Sequence, residues 1–365
     1  MSALTTPGTV ASLSPVEWDE LIRLARSADV LARLDVRIQA VGLLSTVPLS
    51  VRRHLGAARL LAQRQQDELA YEISVLSDVL EKENIQLVLL KGAAYAAAHM
   101  QTAMGRMVSD VDVLVPQDRL VHAEAALMRS GWLATNRDVY DQHYYRKWMH
   151  EIPPLQHVHR GSVLDVHHAV VPPTAGYRLD SRVLLEAAVP VKGSLNVRVL
   201  CDVDMVLHSA VHLMHEGELE LGFRGLLDLD LMLRELSDGA GFWSRLIDRA
   251  VLLGLQRPAF LALRYAQMML ATPVPREALD GLQARAQGVG AARLALLDFL
   301  YVRGLQPDHP NLSDGWTAIA RQVLYLRSHF MRMPWYLLLP HLVRKSIRRL
   351  LETFNSKQGV TDAAA

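Results

Sequence analysis

A single cysteine, Cys201, in 365 residues excludes an intramolecular disulfide and a cysteine-based zinc cluster. Long apolar runs are missing as well: no uninterrupted stretch approaches the ~20 residues that a membrane-crossing helix needs. The opening residues, MSALTTPGTVASLSP, have neither the basic nor the apolar region of a secretory signal, so a reducing, cytoplasmic location is expected. An excess of charge of one sign is also lacking. Lys and Arg total 39 against 38 Asp and Glu, a formal net charge of +1, which removes the global electrostatic case for a nucleic-acid partner. No internal repeat and no low-complexity segment beyond the termini is evident.

What is present is the composition of an ordinary folded chain, 50% hydrophobic and 21% charged, long enough for two domains or one large domain with additions. One stretch, QLVLLKGAAYAAAHMQTAMGRMVSDVDVLV at 86–115, organises the rest. Gln86 to Leu90 reads as a buried strand, Lys91-Gly92 as a glycine turn, and Ala93 to His99 as a short helix. The period of two in Ser109 to Val115 places Asp110 and Asp112 on one strand face, with Val111 and Val113 on the other. Paired acids on one face repel unless a cation lies between them, and hard Mg²⁺ takes carboxylate and phosphate oxygens together. Backbone N–H groups of a glycine turn entering a helix add a phosphate cradle. That order of elements points to metal-assisted phosphoryl or nucleotidyl transfer. Farther on, Val163 to His167 alternates so that Asp165 and His167 share a face, making Asp165 the natural third carboxylate on a neighbouring strand.

In L-L-K-G at 89–92, Arg106, S-D-V-D-V-L-V at 109–115 and D-V-H-H at 165–168, the chain resembles the nucleotidyltransferase superfamily typified by DNA polymerase beta. It is most similar to a bacterial branch labelled only nucleotidyltransferase family protein. The resemblance spans about residues 80–235 and implies an α+β fold, a small mixed sheet embedded in a mostly helical chain. It also implies transfer of a nucleoside monophosphate from a nucleoside triphosphate, ATP by default, with pyrophosphate released. Asp110, Asp112 and Asp165 would be the catalytic acids and the ligands of two Mg²⁺ ions, and Lys91, Gly92, Arg106 and Ser109 would hold the nucleotide. The acceptor would be a hydroxyl or phosphate of a small molecule or peptide product. Gly92-Ala93 stands where the superfamily has Gly-Ser or Gly-Gly, which removes one phosphate contact. A catalytically silent regulatory protein on the same fold, or an enzyme that adenylylates a partner protein, are the competing readings.

Three segments are expected: a helical lead-in at 1–84, the core at 85–200 and a helical region at 201–365. Residues 1–13 read as disordered, and Ser14-Pro15-Val16-Glu17 as the capped start of a helix running to about Leu44. A second helix spans about Ser50 to Asn84. Residues 144–160 are ambiguous between strand and break because of Pro153-Pro154. Asp202 opens an apolar helix through about His215, on which His208, His212 and His215 share one face. Their spacing allows zinc, with Asp204 as a further ligand, but without H-E-x-x-H a polar lining of an acceptor cleft fits better, and His167 joins it. The last distinctive segment, 331–351, sets Trp335 and Tyr336 beside Arg344, Lys345, Arg348 and Arg349. It suits either packing on the body or contact with an anionic membrane surface.

Overall fold

A computed structural model describes residues 2–332 except 136–144, 147, 178, 195, 216, 218 and 287–289. The segment 331–351 therefore lies almost entirely outside the described residues. Fourteen helices are described: α1 (Ser2–Thr5), α2 (Pro15–Ser27), α3 (Leu31–Ala40), α4 (Leu49–Glu81), α5 (Lys91–Ala97), α6 (Leu120–Arg129), α7 (Arg182–Ala187) and α8 (Asp202–His215), then α9 (Gly222–Leu236), α10 (Phe242–Leu252), α11 (Gln256–Leu270), α12 (Arg276–Arg285), α13 (Ala291–Gly304) and α14 (Thr317–Arg332). The strands are β1 (Leu87–Leu89), β2 (Asp110–Leu114), β3 (Trp132–Ala134), β4 (Leu155–His157), β5 (Val163–His167), β6 (Val189–Pro190) and β7 (Val197–Val199).

The strands form one seven-stranded sheet in the order β3-β4-β5-β2-β1-β7-β6. It is mixed: β2 runs parallel to β5 and antiparallel to β1, and β1 runs parallel to β7. The fold is thus α+β, a mixed sheet in a mostly helical chain, as expected. Alternation on β2 and β5 sends Val111, Val113, Leu164 and Val166 into the core and leaves the acids on the other face. Helix α4 supports β1 and β2, and α8 packs among α9, α10 and α11. Residues from all three expected segments join one hydrophobic core.

The N-terminus differs from expectation. Residues 1–13 are not disordered where described: α1 and a 3₁₀ turn at Pro7–Ser12 bury Ala3, Leu4 and Val10. The few apolar side chains suffice because Arg37 Nε donates to the Leu4 carbonyl at 3.2 Å, giving an exposed-looking segment a polar anchor. The capping box at Ser14 and Glu17 is present, but the helix stops at Ser27. Asp29 adopts φ 57° and α3 starts afresh, because a left-handed residue ends an α-helix. The ambiguous stretch resolves into β4 after the prolines, preceded by an isolated antiparallel bridge between Glu151 and His167.

Candidate active site

The acidic face is built by register. In the parallel pair β2–β5, Asp112 sits opposite Asp165, with Asp110 two residues before Asp112 on the same face. Asp110, Asp112 and Asp165 each offer a carboxylate oxygen within 4.8 Å of the others. Lys91 Nζ donates to Asp112 Oδ1 at 2.7 Å. His167 Nε2 is hydrogen-bonded to the same oxygen at 3.0 Å and lies 3.4 Å from Glu151 Oε2.

These contacts divide the acids. Burial works against an ionised Asp112, but the ammonium of Lys91 and the hydrogen bond from His167 outweigh it and hold the carboxyl well below its usual range. Burial likewise opposes the charge on Lys91, yet Asp112, Asp110 and Glu151 keep its ammonium above the ordinary lysine value. Asp165 has no such partner. Burial first, then Asp112, Glu151 and Asp110, push it up to about 7, and its Oδ1 is buried without a hydrogen bond. An orphaned carboxylate oxygen beside two further acids suits a hard divalent cation, so the donor set fits the expected metal.

The turn before this face is made differently from the sequence expectation. Lys91, not the glycine, takes the left-handed conformation, with φ 44°, which costs a non-glycine residue on the order of 1 kcal/mol. Gly92 is needed for space: a Cβ there would lie 2.3 Å from Arg106 Nη1. Arg106 is buried, and its Nε donates to both oxygens of Asp228 at 3.1 and 3.3 Å. Behind it, Arg33 of α3 donates to Asp228 and, at 2.7 Å, to the Thr102 carbonyl. Burial and the neighbouring Arg106 lower the Arg33 guanidinium despite Asp228. The close approach of α3 depends on Gly105, at φ +67° and with no room for a Cβ against the Ala32 carbonyl. Ser109 Oγ donates to Asp110 Oδ1 at 3.1 Å.

Both charged groups reach one cavity of about 620 Å³, whose lining includes Lys91, Gly92, Arg106, Asp110, Asp112, Asp165 and Asp228. Ser109 is not among the lining residues. His212 lines the cavity, while His208 is buried beside Lys91 and His167, and burial and those neighbours lower it to about 3. His215 is turned onto the Val211 carbonyl at 2.8 Å and stacks edge-on against Tyr177. Asp204 faces away, paired with Arg249 at 2.6 Å, so it adds no ligand to the histidines. The groups that could hold a metal among the described residues are the three aspartates and His150–Glu151–His167.

Sequence reasoning missed Glu151, Asp228 and Arg33. Asp228 left a signal, an acid inside a helix where Leu226, Leu227 and Leu229 are all buried. Glu151 and Arg33 left none, since their partners are set by long-range packing. No curated protein and no solved structure matches the chain. A family model described as uncharacterised nucleotidyltransferase matches residues 14–271, a span that contains both charged groups of the cavity and all seven strands of the sheet. The chain therefore belongs to that nucleotidyltransferase family.

Proposed function

We propose that the chain is a metal-dependent enzyme of the DNA polymerase beta-like superfamily. It would move a nucleoside monophosphate from a nucleoside triphosphate, ATP by default, onto a hydroxyl or phosphate of a small molecule or peptide product. The observation that carries this reading is the register of Asp112 against Asp165 beside Asp110, facing the same cavity as Lys91 and Arg106. Asp110, Asp112 and Asp165 would hold Mg²⁺, as two ions, which when bound offsets phosphate charge and acidifies an attacking hydroxyl. Lys91 and Arg106 orient the phosphates, with Gly92 keeping the guanidinium in place and Ser109 steadying Asp110. Asp165 would be the third metal ligand and a possible base for the attacking hydroxyl. His212 would border the acceptor side, with His167 and His208 buried and outside the cavity lining. A single cysteine supports a reducing, cytoplasmic setting.

The silent-protein reading draws on one specific contact. Lys91 already supplies Asp112 with a positive partner, which lessens the need of the acids for a metal. Calorimetry of ATP with and without Mg²⁺, on the wild type and on Asp110→Ala/Asp112→Ala, separates the two. Mg²⁺-dependent binding that the double substitution removes supports the enzyme. A folded wild type that binds no nucleoside triphosphate in either condition leaves the silent protein.

A further inference from the structure

Next to the aspartates stands a second group of side chains with a different chemistry. Glu151 is paired with His167 of β5 through the isolated antiparallel bridge, which puts the two side chains on one face of the sheet. The backbone around this pair is tied down. Ile152 N–H donates to the Val166 carbonyl at 3.0 Å, and the His150 carbonyl accepts from the N–H groups of His168 at 2.9 Å and Ala169 at 3.1 Å. The chain bends at His150, and its ring comes to 5.2 Å from that of His167, centroid to centroid. Glu151 Oε2 lies 3.4 Å from His167 Nε2 and 4.0 Å from His150 Nε2. His150 and Glu151 line the cavity, whereas His167 is buried.

The spacing is that of ligands around one small cation. Two atoms bound ~2.1 Å from a tetrahedral ion stand about 3.4 Å apart, a separation that Glu151 and His167 already have. The 4.0 Å between Glu151 and His150 closes by rotation of a half-buried side chain. Two imidazole nitrogens and one carboxylate form a donor set for a borderline cation such as Zn²⁺, and three protein ligands leave one position for water. Mg²⁺ instead takes oxygen ligands, which is all that the aspartates offer. The two groups therefore select different ions, although they adjoin at Asp112, whose Oδ1 is 3.0 Å from His167 Nε2. His167 Nδ1 is buried without a hydrogen bond. A histidine ligand of zinc ordinarily passes that N–H to an acceptor, so the ion expected here is an exchangeable one, not a permanent structural one.

We propose that His150, Glu151 and His167 hold an exchangeable Zn²⁺ beside the acidic triad, at a site that does not depend on the nucleotide-transfer reading. The test starts from the full chain, stripped with EDTA and dialysed. Zn²⁺ is titrated by calorimetry in excess Mg²⁺ into the wild type, His150→Ala, Glu151→Gln and Asp110→Asn/Asp165→Asn. His150 and Glu151 line the cavity and are not in the core, so circular dichroism should show the wild-type fold. The expected result is one Zn²⁺ per chain in the micromolar range, weakened roughly tenfold or more by His150→Ala and by Glu151→Gln, and changed little in the aspartate variant. Co²⁺ in place of Zn²⁺ should give the strong visible bands of a four-coordinate ion, lost in His150→Ala. No Zn²⁺ binding in the presence of Mg²⁺, binding indifferent to His150 and Glu151, or binding abolished by the aspartate variant overturns the proposal. A chain that takes up Zn²⁺ in the expected way but binds no nucleoside triphosphate supports the site and counts against the transfer reaction alone.

Discussion

At one wall of the cavity, Asp110, Asp112 and Asp165 surround the single ammonium of Lys91; at the wall beside it, the guanidinium of Arg106 and, behind it, that of Arg33 share the single carboxylate of Asp228. Both clusters are out of balance, in opposite directions, the basic one buried and the acidic one buried at Asp112 and half-buried at Asp110 and Asp165. The acidic one leaves its strain on Asp165, pushed up to about 7. The basic one leaves it on Arg33, whose Nε and Nη1 are buried without a hydrogen bond. A protein interior ordinarily neutralises such excess within each cluster. Two adjoining excesses of opposite sign are what a metal–polyphosphate complex would complete, cation to the acids and phosphates to the arginine.

This comparison can be broken from either side. Asp112→Asn removes the carboxylate shared by Lys91 and His167, and pyrophosphate release from ATP should fall by roughly 10²–10³-fold in a turnover assay. On the basic wall, Asp228→Asn leaves two buried guanidinium groups with a neutral partner. Denaturant unfolding should show a loss of about 3 kcal/mol, larger than for Arg106→Met, which removes one of the cations along with its need for a partner.

Asp165→Asn should act in the opposite sense. Its folded value lies above the ordinary 3.8, so between 3.8 and about 7 the folded chain keeps a proton that the unfolded chain has lost. Stability from this group is present at low pH and is lost as pH rises through about 7. Without metal, the asparagine variant should therefore gain roughly 2 kcal/mol above that pH and little below pH 4, read as melting temperature across a pH series. His208 has the reverse slope. Burial lowers it to about 3, so its contribution is present above 6.5 and lost as pH falls, and His208→Gln should flatten the acid limb of the same series.

Gly92→Ala gives the smallest effect. The added methyl must displace the Arg106 guanidinium while leaving the acids alone. ATP affinity should drop about tenfold in calorimetry with the unfolding free energy nearly unchanged. An equal drop in Mg²⁺ affinity measured without nucleotide would show that the two walls are not separable.

Much of the acidic wall was legible because it depends on local periodicity. Alternation alone places Asp110 beside Asp112, and Asp165 beside His167, and the strand signals around them were clear. The helix at 49–81 and the capped start at Ser14 were legible for the same kind of reason, since apolar spacing and caps act within a few residues. The basic wall was not. Arg106 was readable as a phosphate-side candidate, but its anchor is 122 residues away and Arg33 lies 195 residues from Asp228.

The turn at Lys91 marks the division most clearly. The sequence by itself determined that the strand must end there and that a glycine turn leads into the helix. Only the tertiary structure decided that lysine bears the left-handed backbone, because its ammonium is held by Asp112 on the adjoining strand, and that glycine is required by an arginine arriving from the following loop. The strand, the acids and the helices follow from repeating patterns, each a short-range consequence of backbone geometry. Which charges meet, and which are left without a partner, follows from chain closure over long distances, where no local pattern carries the information.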